Sequence, residues 1–253
     1  MTHSLTATAQ ATILRIGAAM ASLSALATVS SGVLHPSRER PDDHPRVFAE
    51  YAQSEIWVTG HLIQTFGFFL AFLALIALGA ALLERHDRAR VFVRIGTPLA
   101  TAAIAAAALL QGLDAVALKA VAAKWAAASD ADRAATFAAA EAVRYLEIGF
   151  NSIFRMLQGF CYATFGAALI HTSGWARWLG WSAVALGLAI VCRGLAVAYT
   201  GFSLANPLYA VVGVTALELL NAWLLVASFY MWRSASSLKK ETARSGPVSH
   251  EGG

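Results

Sequence analysis

Residues 144–158 read Arg-Tyr-Leu-Glu-Ile-Gly-Phe-Asn-Ser-Ile-Phe-Arg-Met-Leu-Gln. At about 100° per residue, Arg144, Glu147, Asn151, Arg155 and Gln158 fall within an arc of roughly 80° on one α-helix. Their neighbours Ile148, Phe150, Ile153, Phe154 and Leu157 are apolar. A helix that dissolves in lipid on most sides must turn such a stripe toward protein or water, because a bare charge in hydrocarbon costs at least ~2.5–3.5 kcal/mol. The stripe therefore marks where a site is to be sought.

The rest of the chain agrees that the surrounding solvent is a bilayer. Hydrophobic residues make up 58% and charged ones 13%, against about 25% charged in soluble domains. Six stretches approach the ~20 apolar residues of a spanning helix: 13–33, 56–83, 93–116, 146–170, 178–199 and 208–231. The expected fold is an all-α, six-helix transmembrane bundle over residues 1–232, followed by a disordered cytoplasmic tail over 233–253. A cleaved signal peptide ending near Ala25-Leu26-Ala27 is the competing reading of the first stretch. Loop one should hold a short helix starting at Pro45, with Val47, Phe48 and Tyr51 laid on the membrane surface. Ser54 suits the N-cap of span two. Ser129 and Asp132 suggest that span four starts outside the membrane near Asp130 and runs unbroken to Ile170. Pro98 and Pro207 fall at or near span starts, so no proline is expected in mid-membrane and no span is expected to be interrupted.

The net charge of +4 and a pI near 9.3 do not indicate nucleic acid, since the basic residues are scattered over loop ends. Arg15, Arg85, Arg88, Arg90, Arg94, Arg177, Arg233, Lys239, Lys240 and Arg244 fall on one side of a six-span thread. The positive-inside rule makes that side cytoplasmic, with both termini on it. Abundant Arg over Lys in an Ala-rich chain suggests a bacterial source, hence the inner membrane. Cys161 and Cys192 both lie within spans and show no metal spacing.

Polar residues in the other spans recur three apart, on shared helix faces: His61 and Gln64, Gln111 and Asp114, Glu218 and Asn221, with Arg193 alone in span five. With Glu147, Asn151, Arg155 and Gln158 they suggest one outward-facing chamber for a small polar or amphiphilic ligand. Arg155 and Arg193 would pair with the carboxylates or with an anionic group of that ligand. The bland alternative is an ion-pair network with no ligand. An acid-base enzyme using Glu147 and His61 as catalytic groups on a lipid-like substrate is a further alternative, and proton-coupled transport another. His61, Asp114 and Glu147 would be the ligands if a metal were bound, with His35 or His44 folding over, but no HxxxH or HExxH spacing supports one. No cofactor is favoured, paired haem histidines fit poorly because His171 lies far from His61, and no oligomeric state is assigned.

Ser54, Trp57 and His61 at the entry to span two, Ala176-Arg177-Trp178-Leu179-Gly180-Trp181, and Glu218 followed by Trp223-Leu224-Leu225-Val226 resemble a bacterial six-span family. That family is the one known as domain of unknown function forty-three eighty-six. The likeness spans Ala11 to Trp232, although the first loop here is longer and carries His-Pro pairs. The family has no established activity, so the resemblance implies only the six-span fold and membrane location.

Overall fold

In the computed structural model, residues 6–36, 38–83 and 86–244 are described. The helices in chain order are α1 (Ala7–Leu34), α2 (His44–Gln53), α3 (Trp57–Leu83), α4 (Asp87–Gln111), α5 (Lys119–Ala126), α6 (Arg133–Ile170), α7 (Trp175–Thr200) and α8 (Val214–Arg244). Two π-helical segments adjoin them: Gly112–Leu118 joins α4 to α5, and Leu208–Gly213 leads into α8. Among the described residues, six helical segments are long and apolar enough to cross a membrane. The protein is an all-helical, multi-pass bundle.

The spans α1, α3, α4, α6, α7 and α8 form a ring in which α1 packs on α3 and α8, α4 on α3 and α6, and α6 on α7. Helix α6 is the most enclosed, with 56% of its apolar window buried. Its closest partner, α7, is reached through glycines at heptad spacing. A Cβ on Gly187 would stand 2.5 Å from the Gly159 carbonyl oxygen, one on Gly180 would stand 2.6 Å from that of Gly166, and one on Gly194 2.8 Å from that of Ser152. Lipid offers no hydrophobic drive for helix association, so close backbone approach through small residues is what holds such a pair.

Several local expectations are corrected. The apolar face of α2 packs on protein rather than on the membrane surface: Val47, Phe48 and Tyr51 join Trp57, Leu118, Ala122 and Ala140 in one buried cluster. Ser54 does not cap span two; its N–H closes α2 by donating to the Glu50 and Tyr51 carbonyls. Lys119 completes that closure, its Nζ donating to the carbonyls of Tyr51, Ala52 and Ser54 at 2.6, 2.9 and 2.8 Å. No span is broken among the described residues, although two change to π register, at Gly112–Leu118 within the third and Leu208–Gly213 at the start of the sixth, and Pro98 lies inside α4 because that helix starts earlier, at Asp87. Ser129 and Asp132 bond to each other at 2.8 Å instead of capping the backbone. The segment from Arg233 to Arg244 is helix, continuing α8, while Arg85 and the tail beyond Arg244 lie outside the described residues.

Overpacking a tight interior typically costs ~1–3 kcal/mol. Gly187→Leu should fall at the upper end of that range, read as a lowered thermal unfolding midpoint in detergent, whereas Gly149→Leu, on open surface, should leave it unchanged.

Candidate functional site

The polar groups expected to share one chamber divide into two. The first lies near the end of the bundle that carries α2. There α4, its π segment and α3 meet in two successive rungs: Gln111 Nε2 donates to Gln64 Oε1 at 2.8 Å, and His61 Nε2 faces Asp114 Oδ2 at 3.2 Å. Nδ1 of His61 donates to the Trp57 carbonyl at 2.8 Å. A carbonyl only accepts, so Nδ1 carries the hydrogen, and a proton must also lie between Nε2 and the carboxylate for that contact to be a hydrogen bond. The π register presents Asp114 here while its own carbonyl accepts from the Trp57 indole at 3.0 Å. π turns of this kind recur at functional sites.

Glu147, one face of α6 away, is held by Arg144 at 2.5 Å, with both side chains 3% exposed. Arg144 also donates to the Pro41 carbonyl at 3.0 Å and lies over the Phe202 ring. This one cation therefore ties loop one and the loop after α7 to α6. His61 is 2% exposed, and neither it nor Glu147 lines the cavity described next. The pair proposed for acid-base work is occupied by Asp114 and Arg144. Among the described residues no group of three or more His, Cys, Asp or Glu stands where it could hold a metal, which does not support His61, Asp114 and Glu147 as metal ligands.

The second part is a cavity of about 130 Å³ inside the ring, between α1, α3, α6 and α8. Gln64, Arg155, Gln158, Glu218 and Asn221 supply its polar wall, beside Ser24, Thr28 and Tyr162, and Phe68, Leu217, Leu220 and Leu224 its apolar wall. Gly32 and Glu218 are exposed and stand where it opens. Arg155 donates to Gln158 Oε1 at 2.8 Å and lies against the rings of Phe68 and Phe154. Arg193, on α7, does not line the cavity; its neighbour Gly194 packs on Met156, the residue after Arg155, where a Cβ would stand 3.0 Å from the Met156 nitrogen. The Arg193 stem crosses Gly213, where any Cβ would stand 2.6 Å from Cδ, and its guanidinium covers the Tyr209 ring at 4.7 Å.

Of the two partners expected for these arginines, carboxylates of the chain or an anionic ligand group, the first is corrected. Among the described residues neither is within ion-pair distance of a carboxylate: Glu147 pairs with Arg144 and Asp114 faces His61, while Glu218 is in no ion pair. The Nε of Arg155 and the Nε and Nη1 of Arg193 are buried without hydrogen-bond partners, as are Gln111 Oε1, Asp114 Oδ1 and Asn151 Oδ1. Buried donors of this kind are costly to leave unmatched. Sequence reasoning missed Lys119, whose signal was a lone lysine five residues after Asp114, and Tyr209, which no spacing rule singles out.

Comparison with protein-family models, curated proteins and solved structures finds no match to this chain. The functional reading rests on the geometry.

Removing one partner of a buried ion pair typically costs ~3–5 kcal/mol. Arg144→Met or Glu147→Leu alone should each lower stability by that order, and the double variant should recover most of it, as measured in a double-mutant unfolding cycle. A pH effect follows from His35, which lies outside the spans with its ring 5.0 Å from Trp57 and 5.1 Å from His61. Burial first, and the neighbouring His61 second, hold its pKa below the usual value, against weaker opposing pulls from Asp114 and Glu50. The unfolded chain takes up that proton near pH 6.5, so stability is present above this pH and is lost as the pH falls below it. The unfolding midpoint should drop between pH 7.5 and about 5.5, and His35→Phe should flatten the drop.

Proposed function

We propose that the protein binds a small polar or amphiphilic ligand in the intramembrane cavity between α1, α3, α6 and α8. The observation that carries this reading is a mixed polar and apolar cavity in the middle of a membrane-spanning ring, walled by side chains from four helices. Arg144 has a carboxylate partner in Glu147, although its Nε is unmatched. Arg155 on the cavity wall has none among the described residues, and a hollow of this size has room for water or a ligand group. The polar part around His61, Asp114, Glu147 and Arg144 then acts as a brace that fixes the α2 end above the cavity.

A second reading is proton-coupled transport. It draws on the π segments at Gly112–Leu118 and Leu208–Gly213, since π turns inside helices recur at functional sites. It also draws on the buried contact of His61 Nε2 with Asp114 Oδ2 at 3.2 Å. The transport reading requires Glu218 to be reachable from both faces of the membrane in turn. The source is proposed to be bacterial and the location the inner membrane, with the α2 end outward and both termini cytoplasmic, because the basic residues gather at the opposite end.

The cavity reading is tested by native mass spectrometry of the purified protein against a panel of single-chain amphiphiles. Wild type should carry bound ligand. Ala71→Phe, which fills the wall contributed by α3, should lose at least ten-fold in occupancy, and equal occupancy in the two proteins would place the ligand elsewhere. For topology, a fluorescent-protein fusion after Gly253 should fluoresce in a bacterial host, and an alkaline-phosphatase fusion at the same point should be inactive.

A further inference from the structure

The two arginines beside the cavity pose an electrostatic problem that the chain itself does not solve. Arg155 and Arg193 are each 7% exposed and come from two helices in backbone contact beside them, where a Cβ on Gly194 would stand 3.0 Å from the Met156 nitrogen. Their nearest companions are neutral: Gln158 for Arg155, and Tyr209 for Arg193. Glu218 lines the same cavity from α8, but its side chain is exposed and stands beyond ion-pair distance of both guanidiniums. Two like charges inside a low-dielectric bundle repel, and each has also left water. Three of their nitrogens, Nε of Arg155 and Nε and Nη1 of Arg193, have no acceptor among the described residues. A guanidinium presents its donors in a planar fork that matches the oxygens of a carboxylate or phosphate, so two adjacent forks match one oxyanion best.

The apolar wall adds the other half of the ligand. Phe68, Leu217, Leu220 and Leu224 flank Arg155 across the cavity, which opens at Gly32 and Glu218. An oxyanion seated on the arginines would leave its hydrocarbon part against these side chains. We infer that Arg155 and Arg193 together hold the oxyanion headgroup, phosphate or carboxylate, of a single-chain amphiphile in the cavity. This inference rests on the cavity reading above and narrows its ligand to an anion. It also assigns to Arg193, which stands behind the cavity wall, a direct role in holding the ligand.

The test uses the full chain in a neutral detergent, followed by thermal unfolding with four probes: dodecyl phosphate, inorganic phosphate, dodecyltrimethylammonium and monododecanoylglycerol. Dodecyl phosphate should raise the midpoint by roughly 5–10 °C at about 100-fold excess over its Kd. The ammonium probe should not. Arg155→Gln and Arg193→Gln should each weaken dodecyl phosphate binding at least ten-fold, while the ligand-free midpoint stays level or rises, because each removes a buried, unmatched cation. Arg155→Lys should bind more weakly than wild type but better than Arg155→Gln. An equal shift with inorganic phosphate would support the two-arginine anion site and identify the free ion as its occupant. If the neutral glyceride stabilises as well as dodecyl phosphate and the Gln variants do not alter either response, the anion inference falls and the cavity reading stands. If both Gln variants lower the ligand-free midpoint and no probe restores a difference, the arginines are structural and the inference falls. A null response to every probe, unchanged in Ala71→Phe, overturns the cavity reading itself.

Discussion

A charge carried into a bilayer on a helix must be answered by protein, water or a bound group, because lipid tails answer nothing. Helix α6 carries this demand along one face, at Arg144, Glu147, Asn151, Arg155 and Gln158, and the arrangement of the other spans follows from it. Its apolar flank is pressed to α7 through glycines 159, 166, 180 and 187, which leaves the polar face toward the ring interior. There α3 and α4 present His61, Gln64, Gln111 and Asp114, and loop one presents the Pro41 carbonyl. The α2 end is built onto this face.

Along the stripe the demand is met in two different ways. At the α2 end the polar groups meet partners locally: Arg144 with Glu147, and His61 with Asp114. Lys119 spreads its charge over three carbonyls at the close of α2. Deeper in the bundle, Arg155 has an amide and two phenyl rings beside it and Arg193 a phenol ring, with no carboxylate in ion-pair range among the described residues, and a cavity opens beside Arg155. The same physical rule thus makes the first region a brace and, on the proposed reading, the second a receptor for a ligand. The π segments contribute by turning Asp114 toward His61 in one span and by bringing Gly213 under the Arg193 stem in another.

Much of this was legible in residue spacing. The three-residue intervals His61/Gln64 and Gln111/Asp114 predicted shared faces, and those faces meet as two rungs. Pro45 predicted the start of α2, and Val47, Phe48 and Tyr51 its apolar side. Spacing misled where the partner mattered: the same three residues suit a membrane surface as well as a protein cluster, and only the position of Leu118, Ala122 and Ala140 decides between them. Lys119 was passed over because the hydropathy of span three fades near residue 116, although the helix runs on to Ala126.

Six segments apolar enough to cross a bilayer, a polar face on α6 and the residue types along it can all be read from consecutive residues, because helical periodicity and transfer energy are local properties. That Glu147 belongs to Arg144 rather than to Arg155 or Arg193, and that the polar groups form two regions, emerges once the helices are packed together. Ion pairing depends on which helices are neighbours and how far each is displaced along its axis. Those displacements are set by glycine contacts and π turns that no single segment encodes.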